Sequence, residues 1–168
     1  MSEPTALKPG EPVIPAAHPD DAGVAPVIVR AAEIERVVAD GRAAELRGET
    51  WTPRPPFITE MLRIGHFELM LESRAKPADG YNLHEDQYEI YVVVDGEGTM
   101  LLGGSLVDPE RHGPNLSARD CVDATPYRIA KGDVLIISPN TVHGVSETNG
   151  ELAVMSMHLP LPVTPPSH

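Results

Sequence analysis

The chain has 168 residues, with 13 Lys and Arg against 25 Asp and Glu and a formal net charge of −12. This length fits one domain plus an arm, since single domains usually run to ~100–150 residues. The acidic balance would repel nucleic acid and anionic membrane surfaces, so neither is expected as a partner. No run of ~18 apolar residues offers a membrane span. The opening MSEPTALKPGEPVIPAAHPDD lacks the basic and apolar regions of a signal peptide. A single cysteine, Cys121, can build no intramolecular disulfide, which favours a reducing compartment, and the expected location is cytoplasmic.

In chain order, residues 1–25 mix Pro, Ala, Gly and acids without an apolar period and read as a flexible arm. Residues 26–56 hold a short β-branched run, PVIVR, and then AAEIERVVADGRAAEL, where Ile34, Val37, Val38 and Leu46 recur at roughly helical spacing. A helix is predicted near 31–40, continuing towards 47 past the interruption of Gly41, and WTPRPP ends it. From Phe57 to about 160 the pattern is one of short β segments: FITEMLRIG, HFELMLESR, YEIYVVVD, EGTMLLGG, DVLIIS, VHGVSE and ELAVMSMHL. Gly, Pro, Asn and Asp punctuate them, as in a sandwich or barrel. Asp95-Gly96 reads as a hairpin turn between YEIYVVVD and EGTMLLGG. Ser105 to Tyr127 is polar and irregular and reads as a lid, and residues 161–168 as a proline-rich tail.

Two stretches carry the chemistry: GYNLHEDQYEIYVVVDGEG, from Gly80 to Gly98, and GDVLIISPNTVH, from Gly132 to His143. Strand alternation puts Glu89, Tyr91 and Val93 on one face, and Asn82 and His84 on one face just before the bend. If the 80–84 segment leads into the next strand, His84 and Glu89 converge inside a barrel, and His143 joins them from a distant strand. Two imidazoles and a carboxylate suit a divalent metal ion: Fe, Mn, Ni, Co or Zn.

These residues resemble the cupin superfamily. Asn82-Leu83-His84, Glu89 and Gly96 fill the places of its first motif in order, and Gly132, Asp133, Pro139, Asn140 and His143 those of its second. The resemblance spans about residues 57–159 and implies an all-β double-stranded β-helix, a jelly-roll barrel, here with a short N-terminal helix and an extended N-terminal arm. It also implies a metal in the barrel mouth, with His84, Glu89 and His143 as ligands, and a homodimer in which the arm crosses between subunits. In the fullest form of the first motif a histidine stands at the place of Asn82, so its amide becomes a weak fourth metal ligand or a group that positions water or substrate. What then remains is two histidines and one carboxylate with open positions, the arrangement of non-haem Fe(II) oxygenases.

Asp86 is an alternative carboxylate, but the spacing to Gly96 favours Glu89 and leaves Asp86 as a turn acid. His158 in the final strand is a candidate general base if it faces the barrel and a rim histidine if it does not. Tyr91 is a candidate hydrogen-bond donor to substrate or a core residue with a satisfied hydroxyl. Three functions fit: an Fe(II)-type dioxygenase acting on a small organic molecule, a lyase, isomerase or dehydratase using the metal as a Lewis acid, or a ligand-binding barrel without activity.

Overall fold

The computed structural model describes residues 28–48, 57–64 and 67–161. The expected arm over 1–25, the WTPRPP stretch and all of the tail beyond Leu161 lie outside the described residues. Helix α1 spans Ala31–Leu46, and its stripe of Val37, Val38, Gly41 and Ala44 is buried at the three- and four-residue spacing of one helical face. The chain leaves the helix through Gly48, whose φ of 71° suits a residue without a Cβ. Gly41, read as an interruption, lies within the buried stripe. None of the described helices is long and apolar enough to cross a membrane.

Eleven strands follow: β1 (Phe57–Ile64), β2 (Phe67–Arg74), β3 (Tyr81–His84), β4 (Gln87–Leu102), β5 (Ser105–Val107), β6 (Glu110–His112), β7 (Asn115–Ala118), β8 (Asp120–Val122), β9 (Thr125–Ala130), β10 (Val134–Ile137) and β11 (His143–Pro160). Nine of them form one curled sheet in which β11 is the hub, pairing with β2, β3 and β4. β4 also pairs with β9 and β10, and β7 joins β3 to β6. All pairings are antiparallel, β5 and β8 make a separate ribbon, and the large sheet wraps without closing into a ring. This is the double-stranded β-helix that the two motifs imply.

The alternation of β4 and β11 creates two cores on opposite sides of the sheet. Inward, Tyr91, Val93, Met100, Ile129, Ile137, Val145, Leu152 and Val154 fill the barrel. Outward, Leu71 and Ala153 meet Val37, Val38 and Ala44 of the helix, with Met61 between them. Arg42 fastens the helix to the bend of the long strands through Asp95, at 2.5 Å, and Glu151.

Two expectations need correction. Asp95-Gly96 is not a hairpin turn, because β4 runs through it as one strand of 16 residues paired along its length with β11. Gly96 has φ 76°, and a Cβ there would lie 1.7 Å from the carbonyl oxygen of Glu151. The glycine is thus needed for backbone approach at a bend, where β11 bulges between Thr148 and Leu152. VHGVSE and ELAVMSMHL are accordingly one strand. The stretch from Ser105 to Tyr127 lines a cavity, as a cover would, but it is not irregular. It folds into β5 to β8 and the start of β9, and β6 and β7 extend the sheet beyond β3.

Candidate metal centre

His84 is the last residue of β3, where the backbone N–H of Asn140 donates to its carbonyl at 2.7 Å. That bond ties the first motif to the Pro139-Asn140 turn, and Asn140 takes the left-handed φ of 61° that the turn requires. The turn delivers His143 as the first residue of β11. Glu89 sits near the start of β4, opposite Ile137 of β10 on one side and His158 of β11 on the other. The sequence-distant segments therefore meet through strand register.

Three ligand atoms, one each from His84, Glu89 and His143, lie within 4.8 Å of one another. Nε2 of His143 is 2.8 Å and Nε2 of His84 3.3 Å from Oε2 of Glu89. His143 and Glu89 are buried, at 1% and 4% exposure, and His84 is partly buried. Each imidazole is oriented from behind: Nδ1 of His84 is 2.8 Å from Oδ1 of Asn115, and Nδ1 of His143 is 3.0 Å from the carbonyl of Thr141. Both partners accept, so in the neutral rings the proton resides on Nδ1 and the Nε2 lone pair faces the cluster. A carboxylate oxygen and two such lone pairs repel unless a cation stands among them. This donor chemistry, with nitrogen and oxygen ligands of borderline hardness, fits a divalent first-row metal ion.

Without a metal ion, protons on the imidazoles take the place of that cation. Burial raises the pKa of Glu89, but its contacts with His143, His158 and His84 outweigh this and hold it far below the usual carboxylate range. Burial lowers the pKa of His84, and its contacts to Glu89 and Asn115 outweigh that, leaving it above the ordinary imidazole value. Tyr91 is buried; burial first, then the nearby Glu72 and Glu89 charges, push its pKa well above the ordinary 10.0. It therefore stays a neutral donor beside the carboxylate.

These residues stand in the wall of a cavity of about 800 Å³. Asn82 also lines it, opposite Ser117 and His143, but its side chain is exposed and no hydrogen bond joins its amide to the cluster among the described residues. His158 is brought in: its Nε2 is 3.3 Å from Oε1 of Glu89, and its ring centroid is 5.0 Å from that of His84. Asp86 is exposed, as expected of a turn acid.

Sequence reasoning missed two features. One is Asn115, which lies in the presumed lid, where only the pairing of β3 with β7 sets it across from His84. The other is a polar wall deeper in the barrel. Arg74 pairs with Glu72, Oγ of Ser156 donates to Oε1 of Glu72 at 3.1 Å, and all three are buried. Glu72 and Arg74 are two of the three charged residues in FELMLESR, and they share their strand parity with the third, Glu68, so nothing local marks them.

No family model matches the chain, and no curated protein matches it. Among solved structures, a protein from Bacillus halodurans is similar at a TM-score of 0.51 and 18% identity, over 86% of this chain and 88% of that one. A conserved Klebsiella pneumoniae protein with a double-stranded β-helix domain aligns at a TM-score of 0.48 and 14% identity, over 67% of this chain and 84% of its own. A Bacteroides fragilis cupin protein aligns at a TM-score of 0.43 and 11% identity, over 70% and 86%. Likeness at this identity speaks to fold alone. The sheet described above is a double-stranded β-helix, with a His and Glu cluster suited to a metal ion in its interior.

Proposed function

We propose that the protein is a mononuclear metal enzyme acting on a small organic molecule, and that its chemistry is that of an Fe(II)-dependent dioxygenase. The observation that carries this reading is the convergence of His84, Glu89 and His143 within 4.8 Å. The wall in which they stand bounds a cavity of a size that takes a small ligand. Bound divalent iron would supply oxygen activation, and a two-histidine, one-carboxylate set leaves positions open for it.

The chain's own groups do the rest. Asn115 and the Thr141 carbonyl fix which imidazole nitrogen carries the proton, so that the other stays a donor to metal. Tyr91, buried in the cavity wall, keeps its hydroxyl neutral and available to donate. The Glu72, Arg74 and Ser156 wall offers polar contacts to a substrate, while Met100 and Val145 give the same cavity an apolar side. Asn82, exposed towards the mouth, is placed to meet substrate as it enters.

Metal analysis of aerobically purified protein, followed by oxygen uptake with Fe(II)-reconstituted protein across a panel of small aromatic and aliphatic acids, tests this reading. Bound iron and substrate-dependent oxygen consumption are expected. Turnover with Zn under strict anaerobiosis would instead establish Lewis-acid chemistry, a reading favoured by the buried polar groups of Tyr91, Glu72 and Arg74 around the cavity. The proposed assembly is a homodimer. Val134 and Ile136 on β10 leave 60% and 68% of their surface exposed, apolar area that a second copy would cover. Light scattering should give a mass near twice 18.1 kDa.

A further inference from the structure

The cluster at Glu89 holds more imidazole than the two cupin motifs supply. His158 lies directly across from Glu89 in the pairing of β4 with β11. It shares its strand face with Ser156, Val154 and Leu152, all buried, which settles the parity that the sequence leaves open. Its Nε2 is 3.3 Å from Oε1 of Glu89, while His84 and His143 approach Oε2. The carboxylate is thus flanked on both oxygens.

Nε2 of His143, Nε2 of His158 and Oε2 of Glu89 are buried and make no hydrogen bond of proper geometry. Buried polar atoms of native proteins are nearly always partnered, and three orphans around one carboxylate mark a place where a positively charged partner belongs. Asn82, by contrast, has its side chain exposed.

We propose that His158 is a metal ligand. On this reading the centre is built from His84, His143, His158 and Glu89, and its third imidazole comes from the last strand of the barrel. Asn82, at the first motif's variable place, is free to contact substrate. The proposal rests on the metal reading above and changes its donor set. It also removes His158 from the list of candidate bases, because a nitrogen committed to a metal has no lone pair left to take a proton.

The test uses the full chain, stripped with chelator and reloaded with Cu(II), and counts coordinated imidazoles by pulsed electron paramagnetic resonance. Three are expected in the wild type, three in N82A and two in H158Q. H158Q should also weaken Co(II) binding by about 10–100-fold, at least the loss that follows removal of an outer partner of a ligand, while N82A leaves it nearly unchanged. Two imidazoles in the wild-type protein would overturn the assignment of His158 and leave the His84, Glu89 and His143 reading standing. That count does not depend on whether any variant folds. A wild-type protein that takes up neither Cu(II) nor Co(II) would overturn both.

Discussion

Two ends of the same strand pair, facing the same interior, are built on opposite principles. Along β11, Leu152 and Val154 are fully buried apolar residues, and the next inward positions are Ser156 and His158. Along β4, Val93 gives way to Tyr91 and Glu89 over the same span, and the register sets Ser156 against Tyr91 and His158 against Glu89. One end of the barrel excludes water and supplies stability. The other buries the charge of Glu89, which costs stability unless it is paired, and imidazoles surround it; the Glu72–Arg74 pair on β2 lies in register with Val154 and Leu152 and is paired within itself. A rigid apolar end is what holds the costly polar end in register.

The sharpest way to break this division is Leu152→Ala, at a residue with 0% exposure in the inward core. The truncation should cost about 2–5 kcal/mol, as buried Leu to Ala changes do. Metal bound per folded molecule, measured below the melting transition, should stay unchanged. Loss of metal in protein that circular dichroism shows to be folded would mean that the two ends are not separable.

The reverse change is Glu89→Gln. It keeps the shape, removes the charge that the imidazoles face, and should lower metal affinity by at least about 100-fold, since losing even an outer partner of a ligand costs 10–100-fold. Thermal stability of the chelator-treated protein should change less than for Leu152→Ala. Isothermal titration with Co(II) and scanning calorimetry on the same samples check both halves. A smaller effect is expected for Asn115→Ala, which leaves every ligand in place but frees Nδ1 of His84, 2.8 Å from the lost amide oxygen. Affinity should fall about 10–100-fold, and Asn115→Asp should restore it, because a carboxylate accepts the same proton.

The division also explains what the sequence disclosed and what it withheld. His84, Glu89 and His143 were legible because the two motifs are local patterns, each fixed by a few residues around one strand and its turn. Asn115, His158 and the Glu72–Arg74 pair were not, because their roles depend on which strands lie side by side. The pairing of β3 with β7 and of β11 with β4 is set by the whole sheet. Asp95-Gly96 shows the converse error. Its local turn preference is overridden by the close approach of the Glu151 carbonyl, which only a glycine permits. The helix was found because its apolar period is intrinsic to its own residues, and its face against Leu71 and Ala153 follows from that period.

The smallest expected effect concerns pH and separates the metal-free from the metal-loaded polar end. In the metal-free protein His84 has a pKa raised above its ordinary value through Glu89 and Asn115. A raised imidazole pKa means that the protonated ring stabilises the fold. Its contribution is fully present below the unfolded value of about 6.5 and is lost as pH rises through the higher folded value. Glu89, held far below the usual carboxylate range, stays charged across this window and adds no slope there. The melting temperature in chelator should therefore fall from about pH 6.5 upwards, and His84→Gln should flatten that fall. With a divalent metal present the sign reverses, because binding needs the same imidazole deprotonated and strengthens as pH rises. Differential scanning fluorimetry in chelator and in excess Zn, from pH 6 to 8.5, gives two curves that should converge at the acid end and diverge at the alkaline end. Parallel curves would mean that the imidazoles around Glu89 bind protons and not metal.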